Sequence, residues 1–251
     1  MRFTSILTSI LIAAPALSAQ TAPEHIAMGD RDYTALNAAG ALSHYEQAVS
    51  SDPSSYEASW KASRSAIDIG SYANPLQRRN MLFSTGEQYA RRAVSLNPGD
   101  AEGHFALARA LGKTALHESR TNRIKYATEI RNQALECLRI SPQHAGCLHV
   151  MGMWNAEVMR LNSVARLVAK SFLGGKIFGT ANWKDAVRYM EAAVAAEPQR
   201  IVHHVDLGEV YRDVGDKAKA KAEFETVIRL PVSDVNDPVY KEQARSGLAR
   251  L

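Results

Sequence analysis

The sequence predicts an all-α solenoid of about five antiparallel helix pairs, with lengthened central helices and a C-terminal capping helix. Two observations carry that expectation, and a third sets the helix lengths. The first is a helix ending of one grammar that recurs along the 251 residues. Residues 45–48 precede Asp52-Pro53, 90–93 precede Asn97-Pro98, 134–137 precede Ser141-Pro142, 190–193 precede Glu197-Pro198 and 224–227 precede Leu230-Pro231. Proline has no N–H to donate and its ring clashes with the turn before it, so each marks a place where a helix has stopped.

The second observation is a small residue at a fixed distance before each ending. With each Pro at position 32 of a 34-residue unit, the fifth copy shows Leu207, Gly208 and Tyr211 on its first helix and Ala220, Phe224 and Val227 on its second. The first copy shows Met28, Gly29, Ala41, Tyr45 and Ala48, the third Leu107, Ala108 and Leu111, and the fourth Met151 and Gly152. The second departs most, with Ala62, Ser63 and Ala66. Position 8 is small because two helices approach closely there. These are the marks of the tetratricopeptide repeat (TPR), a 34-residue pair of antiparallel helices.

The third observation is irregular spacing. The first four prolines lie 45, 44 and 56 residues apart, so the middle repeats carry about 11, 10 and 22 residues beyond the unit length. Eleven residues make about three helical turns, so a helix can lengthen by that much without rotating its apolar face. Breaks are expected at residues 70–75, near Thr121-Asn122 and at 174–182. Asp237-Pro238 supplies an N-cap and first turn for a last helix over 237–251, covering the exposed end of the stack.

From about Trp60 onward the chain resembles the regulator of microtubule dynamics protein family. The carrying segments are 148–154 (Leu-His-Val-Met-Gly-Met-Trp), 166–170, Phe178-Gly179, 183–189, 207–211 and the tail 230–241. The resemblance implies an all-helical, TPR-like protein with no catalytic residues to carry over. It links the family to microtubules and organelle membranes.

Composition is ordinary for a globular chain, 46% hydrophobic and 22% charged, with a net charge of +4. A charge so mild and dispersed does not fit nucleic acid as a partner. Residues 1–19 read as a signal peptide: Arg2, an uncharged apolar stretch over 6–14, Pro15, then small residues before the cleavage point. The expectation is export to a periplasm or the exterior, with 20–251 as one mature helical-repeat domain. No nucleophile-elbow, phosphate-loop or zinc-protease motif is present, which favours a non-catalytic protein without a cofactor.

The concave face of such a solenoid is lined by the first helix of each pair. Position 5 reads Ile26, Trp60, Phe105, His149 and Val205, and position 9 reads Asp30, Arg64, Arg109, Met153 and Glu209. Trp60, Arg64, Phe105, Arg109, His149 and Met153 are therefore the candidate ligand-binding residues. Aromatics supply contact area at low entropic cost, and Arg64 and Arg109 would clasp an anion between them. The expected function is a scaffold that binds an extended peptide or protein segment in this groove. The opposing reading has the same residues packed under the inserted helices.

An alternative class is a lipid or amphiphile binder that meets a lipid or membrane surface. It rests on the stretch 161–178, where Leu161, Val164, Ala165, Val168 and Phe172 follow helical spacing among Arg166, Lys170 and Lys176. A helix packed on the solenoid explains the same pattern. Cys137, His144, Cys147 and His149 resemble a metal cluster, but Cys147 and His149 diverge by about 200° on one helix, so no metal is expected. Cys137 and Cys147 lie symmetrically about Pro142, where antiparallel helices would set them side by side. A disulfide and a pair of buried thiols both fit. His25, His104 and His204 share position 4 and read as architecture.

Overall fold

The computed structural model describes residues 20–115, 120–161 and 175–251. Residues 1–19, where a signal peptide is expected, and most of 161–178 lie outside the described residues. Among the described residues eleven α-helices run in order: α1 (Ala22–Thr34), α2 (Ala38–Ser51), α3 (Tyr56–Tyr72), α4 (Leu76–Leu96), α5 (Ala101–Ala115), α6 (Arg120–Ile140), α7 (Ala145–Arg160), α8 (Trp183–Ala196), α9 (Ile201–Asp213), α10 (Lys217–Arg229) and α11 (Asp237–Leu248). A 3-10 turn, Gly175–Gly179, precedes α8. Among the described residues there is no strand, and no helix is long and apolar enough to cross a membrane.

The helices form five pairs that end at the five prolines. First helices also touch one another in series (α1 with α3, α3 with α5, α5 with α7, α7 with α9), so they form the inner, concave layer. The lengthening falls where the spacing placed it, with 17 and 21 residues in α3 and α4 and 21 in α6. In the fourth pair it does not lengthen either helix. Its extra residues lie between α7 and α8, which keep 16 and 14 residues. The break expected near Thr121-Asn122 is not at those residues, which lie in the first turn of α6.

Close approach at position 8 is direct. A Cβ on Gly29 would lie 2.5 Å from the Tyr45 ring, on Gly152 2.5 Å from Met190, and on Gly208 2.6 Å from Phe224. Tyr45, Met190 and Phe224 are each fully buried, so each large side chain of a second helix fills the space its glycine leaves. The first and fifth pairs turn alike. Leu36 and Gly215 both take positive φ, and Asn37 and Asp216 then cap α2 and α10 by accepting from the Gly40 and Lys219 amides.

Two position-4 histidines lock neighbouring repeats. His104 meets the Pro98 carbonyl at 2.9 Å and Gln133 at 2.6 Å; His204 meets the Pro198 carbonyl at 2.9 Å and Glu223 at 2.6 Å. Burial alone would lower His204, but Glu223 and the Pro198 carbonyl hold its pKa above the usual value. These histidines join the proline turn to the following second helix. At the far end, α11 packs on α9 and α10, with its N-cap at Asn236, one residue before the expected Asp237.

The described end of the insertion closes a gap. Phe178 is buried beside Trp154 (ring centroids 6.0 Å) with Ile124, Ile130 and Val158 around them. Trp154 Nε1 donates to the Ala127 carbonyl at 2.8 Å.

Candidate binding groove

The concave face is organised around a residue that sequence reasoning passed over. Asp68 lies on α3 one turn beyond Arg64, and its side chain is 0% exposed. Its Oδ1 pairs with the Arg109 guanidinium from α5 and accepts from Asn236 Nδ2 at 3.3 Å. Its Oδ2 accepts from Tyr33 Oη of α1 at 2.9 Å. One carboxylate thus ties three first helices to a segment 168 residues away in sequence.

That segment, 231–237, runs from the end of α10 across the concave face. Its shape comes from its own polar groups: Asp237 Oδ2 accepts from the Ser233 and Asp234 amides at 2.8 and 2.7 Å, and Asp234 Oδ1 accepts from the Asn236 amide at 2.9 Å. Asp234 Oδ2 accepts from Arg200 at 2.8 Å. Val235 packs against the buried cluster of Ala38, Ile69, Ala73 and Leu82 of the first two pairs. Burial would raise the Asp234 carboxyl, but Arg200, the Asn236 amide and Arg109 outweigh it and hold it below the usual range.

The candidate residues come to one face but in different states. Arg109 is half-buried and ion-paired; burial would lower its pKa, yet Asp68 holds it up. Burial and Arg109 push its neighbour Lys113 down, against the pull of Asp206 and Asp68. Arg64 has no carboxylate partner among the described residues. Its guanidinium sits 3.6 Å from the Tyr33 ring centroid and 5.1 Å from that of Trp60, and its Nε is unpaired. The two arginines are thus held differently: Asp68 serves Arg109, while two aromatic faces flank Arg64 and its Nη2 donates to the Tyr45 hydroxyl at 3.4 Å.

Phe105 packs against the His144 ring at 5.0 Å, and Met153 lies at the edge of the core formed by α7 to α11. His149 Nδ1 meets His203 Nδ1 at 2.6 Å, while its Nε2 meets Asp206 at 3.0 Å. Two Nδ1 atoms this close share one proton, since two N–H groups would point at each other. Burial accordingly pushes His203 down to about 4. Cys137 and Cys147 are joined by a disulfide, with Cα atoms 6.3 Å apart. Asp68, Arg200, Asp206, Asp234 and Asn236 were all missed from sequence. The available signal was Asp68 itself, an acid enclosed in Ile67-Asp68-Ile69 on a helix face otherwise given to the core.

The five pairs, the glycines of three of them interlocked with Tyr45, Met190 and Phe224, and the inner layer of first helices define a TPR-type α-solenoid. The model of the family described as regulator of microtubule dynamics protein 1-3 matches residues 26–251, and the chain belongs to that family. Regulator of microtubule dynamics protein 3 of Xenopus laevis is 24% identical over 173 residues, covering 68% of this chain and 37% of that protein. Regulator of microtubule dynamics protein 1 of Bos taurus is 23% identical over 143 residues, covering 55% and 44%. The chain thus spans less than half the length of these relatives. A crystal structure of a thermophilic TPR protein of Thermus thermophilus superposes with a TM-score of 0.63 at 17% identity, covering 90% of this chain and 99% of that one.

The geometry of the groove separates its two arginines energetically. Arg109→Ala strands the buried Asp68 carboxylate and should cost about 3–5 kcal/mol, whereas Arg64→Ala loses aromatic stacking and one long hydrogen bond to the Tyr45 hydroxyl, about 1 kcal/mol. Urea unfolding of the two variants measures the contrast, and equal losses would contradict it. His203 is depressed from 6.5 to about 4 in the folded chain, so the unfolded chain binds more protons between those values. Its contribution, roughly 1–3 kcal/mol, is present above pH ~6.5 and lost as pH falls toward ~4. His203→Gln should flatten that part of the urea-midpoint profile against pH; an unchanged slope would assign the acid sensitivity elsewhere.

Proposed function

We propose that this protein is a non-catalytic binding scaffold whose concave face takes an extended, acidic-apolar segment of a protein partner. The observation that carries the reading is the chain's own segment 233–237, which lies against that face as a bend and turn leading into α11. Arg200 takes its Asp234, Asp68 takes its Asn236, and an apolar wall of Ile69, Ala73 and Leu82 takes its Val235. These are the elements that hold a peptide: a charged clasp, a polar anchor and one apolar pocket.

A partner segment would compete with the tethered occupant, whose effective concentration is in the millimolar range for a short linker. Trp60 and Arg64, on the same inner helix as Asp68, offer a partner carboxylate a half-buried ring and a guanidinium that no described carboxylate neutralises. The stretch 161–178, on which a lipid-binding reading depends, lies largely outside the described residues, and its described end is packed against Trp154.

The test uses the full chain carrying Asp234→Ala and Val235→Ser, which loosens the occupant, and a fluorescent synthetic peptide spanning 230–238. The peptide should bind the variant at least tenfold more tightly than the unaltered chain. Adding Arg64→Glu should then weaken binding of an acidic-tailed peptide while leaving the helical circular dichroism unchanged. A variant that keeps its helical signal but binds no peptide would overturn the proposal.

A further inference from the structure

The turn between α6 and α7 holds a cluster of soft donors away from the groove. One ligand atom from each of Cys137, His144 and Cys147 lies within 4.8 Å of the others. Both cysteines are fully buried, at the C-terminal end of α6 and in the first turn of α7, while His144 keeps a solvent edge of 14%. We propose that, once the Cys137–Cys147 disulfide is reduced, these three side chains form a binding site for a thiophilic divalent cation, with Zn2+ as the fitting ion.

The chemistry balances simply. A dithiol reductant delivers two electrons to the S–S bond and leaves as its own disulfide, and the two sulfurs become thiols. Zn2+ then displaces both thiol protons, and two thiolates neutralise its charge, as a buried site requires. Tetrahedral zinc with bonds of about 2.3 Å holds two sulfurs roughly 3.8 Å apart. The Cα separation of 6.3 Å is toward the wide end for a disulfide, so the sulfurs can part to that spacing by side-chain rotation. Cys147 is the third residue of α7, where the helix N-terminus favours a thiolate.

His144 is oriented as a ligand. It is the N-cap of α7, and its Nδ1 accepts from the Cys147 amide at 3.2 Å, so Nδ1 is the unprotonated nitrogen. That lone pair can turn to the ion, because the Cys147 amide also donates to the His144 carbonyl at 3.0 Å and keeps a partner. Nε2 then carries the proton and faces the Glu102 carboxylate of α5 at 3.2 Å. A metal-ligating imidazole characteristically donates its other N–H to a carboxylate, which fixes tautomer and ring orientation. Glu102 is the positioning residue. His149, two residues past Cys147, is turned toward His203 and Asp206 and takes no part. Sulfur and imidazole donors select zinc over calcium or magnesium, and three protein ligands leave the fourth position to water.

The full chain tests this directly. Protein reduced with a phosphine, stripped with chelator and kept anaerobic is titrated with Zn2+ against a chromophoric competitor. One Zn2+ per chain is expected for the reduced form and none for the oxidised form. His144→Ala should weaken binding at least tenfold and Glu102→Gln about tenfold, with helical circular dichroism retained. Cd2+ added to the reduced, unaltered chain should give the ultraviolet sulfur-to-metal charge-transfer band, a readout that needs no variant to fold. No zinc uptake after reduction, no such band, or uptake undiminished by His144→Ala would each overturn the proposal.

Discussion

The Asp68 carboxylate, removed from water and divided among Arg109, Tyr33 and Asn236, is the constraint on which the concave face depends. A buried carboxylate is stable only with its lone pairs occupied, so its partners are held where they are. Tyr33 brings α1, Arg109 brings α5 and Asn236 brings the segment before α11. Solenoid repeats ordinarily contact only their neighbours. Here a polar bond spans from the second pair to the C-terminal end, and Val235 adds an apolar contact beside it. A quasi-linear stack is thereby given a long-range closure. The closing segment is also the object lying where a partner would lie, which links the architecture to the proposed role.

Around that centre the groove is close to charge-balanced. Asp68, Asp206 and Asp234 face Arg109, Lys113 and Arg200, so the middle of the face presents little net charge to an outside anion. Arg64 differs because its neighbours are rings and one neutral hydroxyl, that of Tyr45. Stacking on Tyr33 and Trp60 positions a guanidinium without neutralising it, and such a group can still accept a carboxylate at modest desolvation cost. The first helices therefore divide into two regions: a committed centre at Asp68 and Arg109, and an available one at Trp60 and Arg64.

Much of the fold was legible because repeat grammar is local. Pro53, Pro98, Pro142, Pro198 and Pro231 mark helix ends by backbone chemistry, and Gly29, Gly152 and Gly208 mark close approach by volume. His104 and His204 were legible as architecture because they recur in register. The site was less legible for a physical reason. Arg109 announces a cation on the concave face, but its partner comes from another helix, and Asn236 reaches Asp68 across most of the chain. Pairings of that kind leave no spacing signature. The extra residues of the fourth repeat show the same limit: about 22 residues can lengthen a helix by whole turns or lie between helices, and periodicity alone does not distinguish the two.

Amide hydrogen exchange on the Asp68→Ala variant tests the central claim most directly. Exchange resolves which segments open together. If Asp68 couples the inner helices to the closing segment, the substitution should speed exchange together in α3, in the part of α5 around Arg109 and in residues 233–237. The terminal interlock of Gly208 with Phe224 should keep its protection. Loss confined to α3, with 233–237 exchanging as in the unaltered chain, would contradict the account.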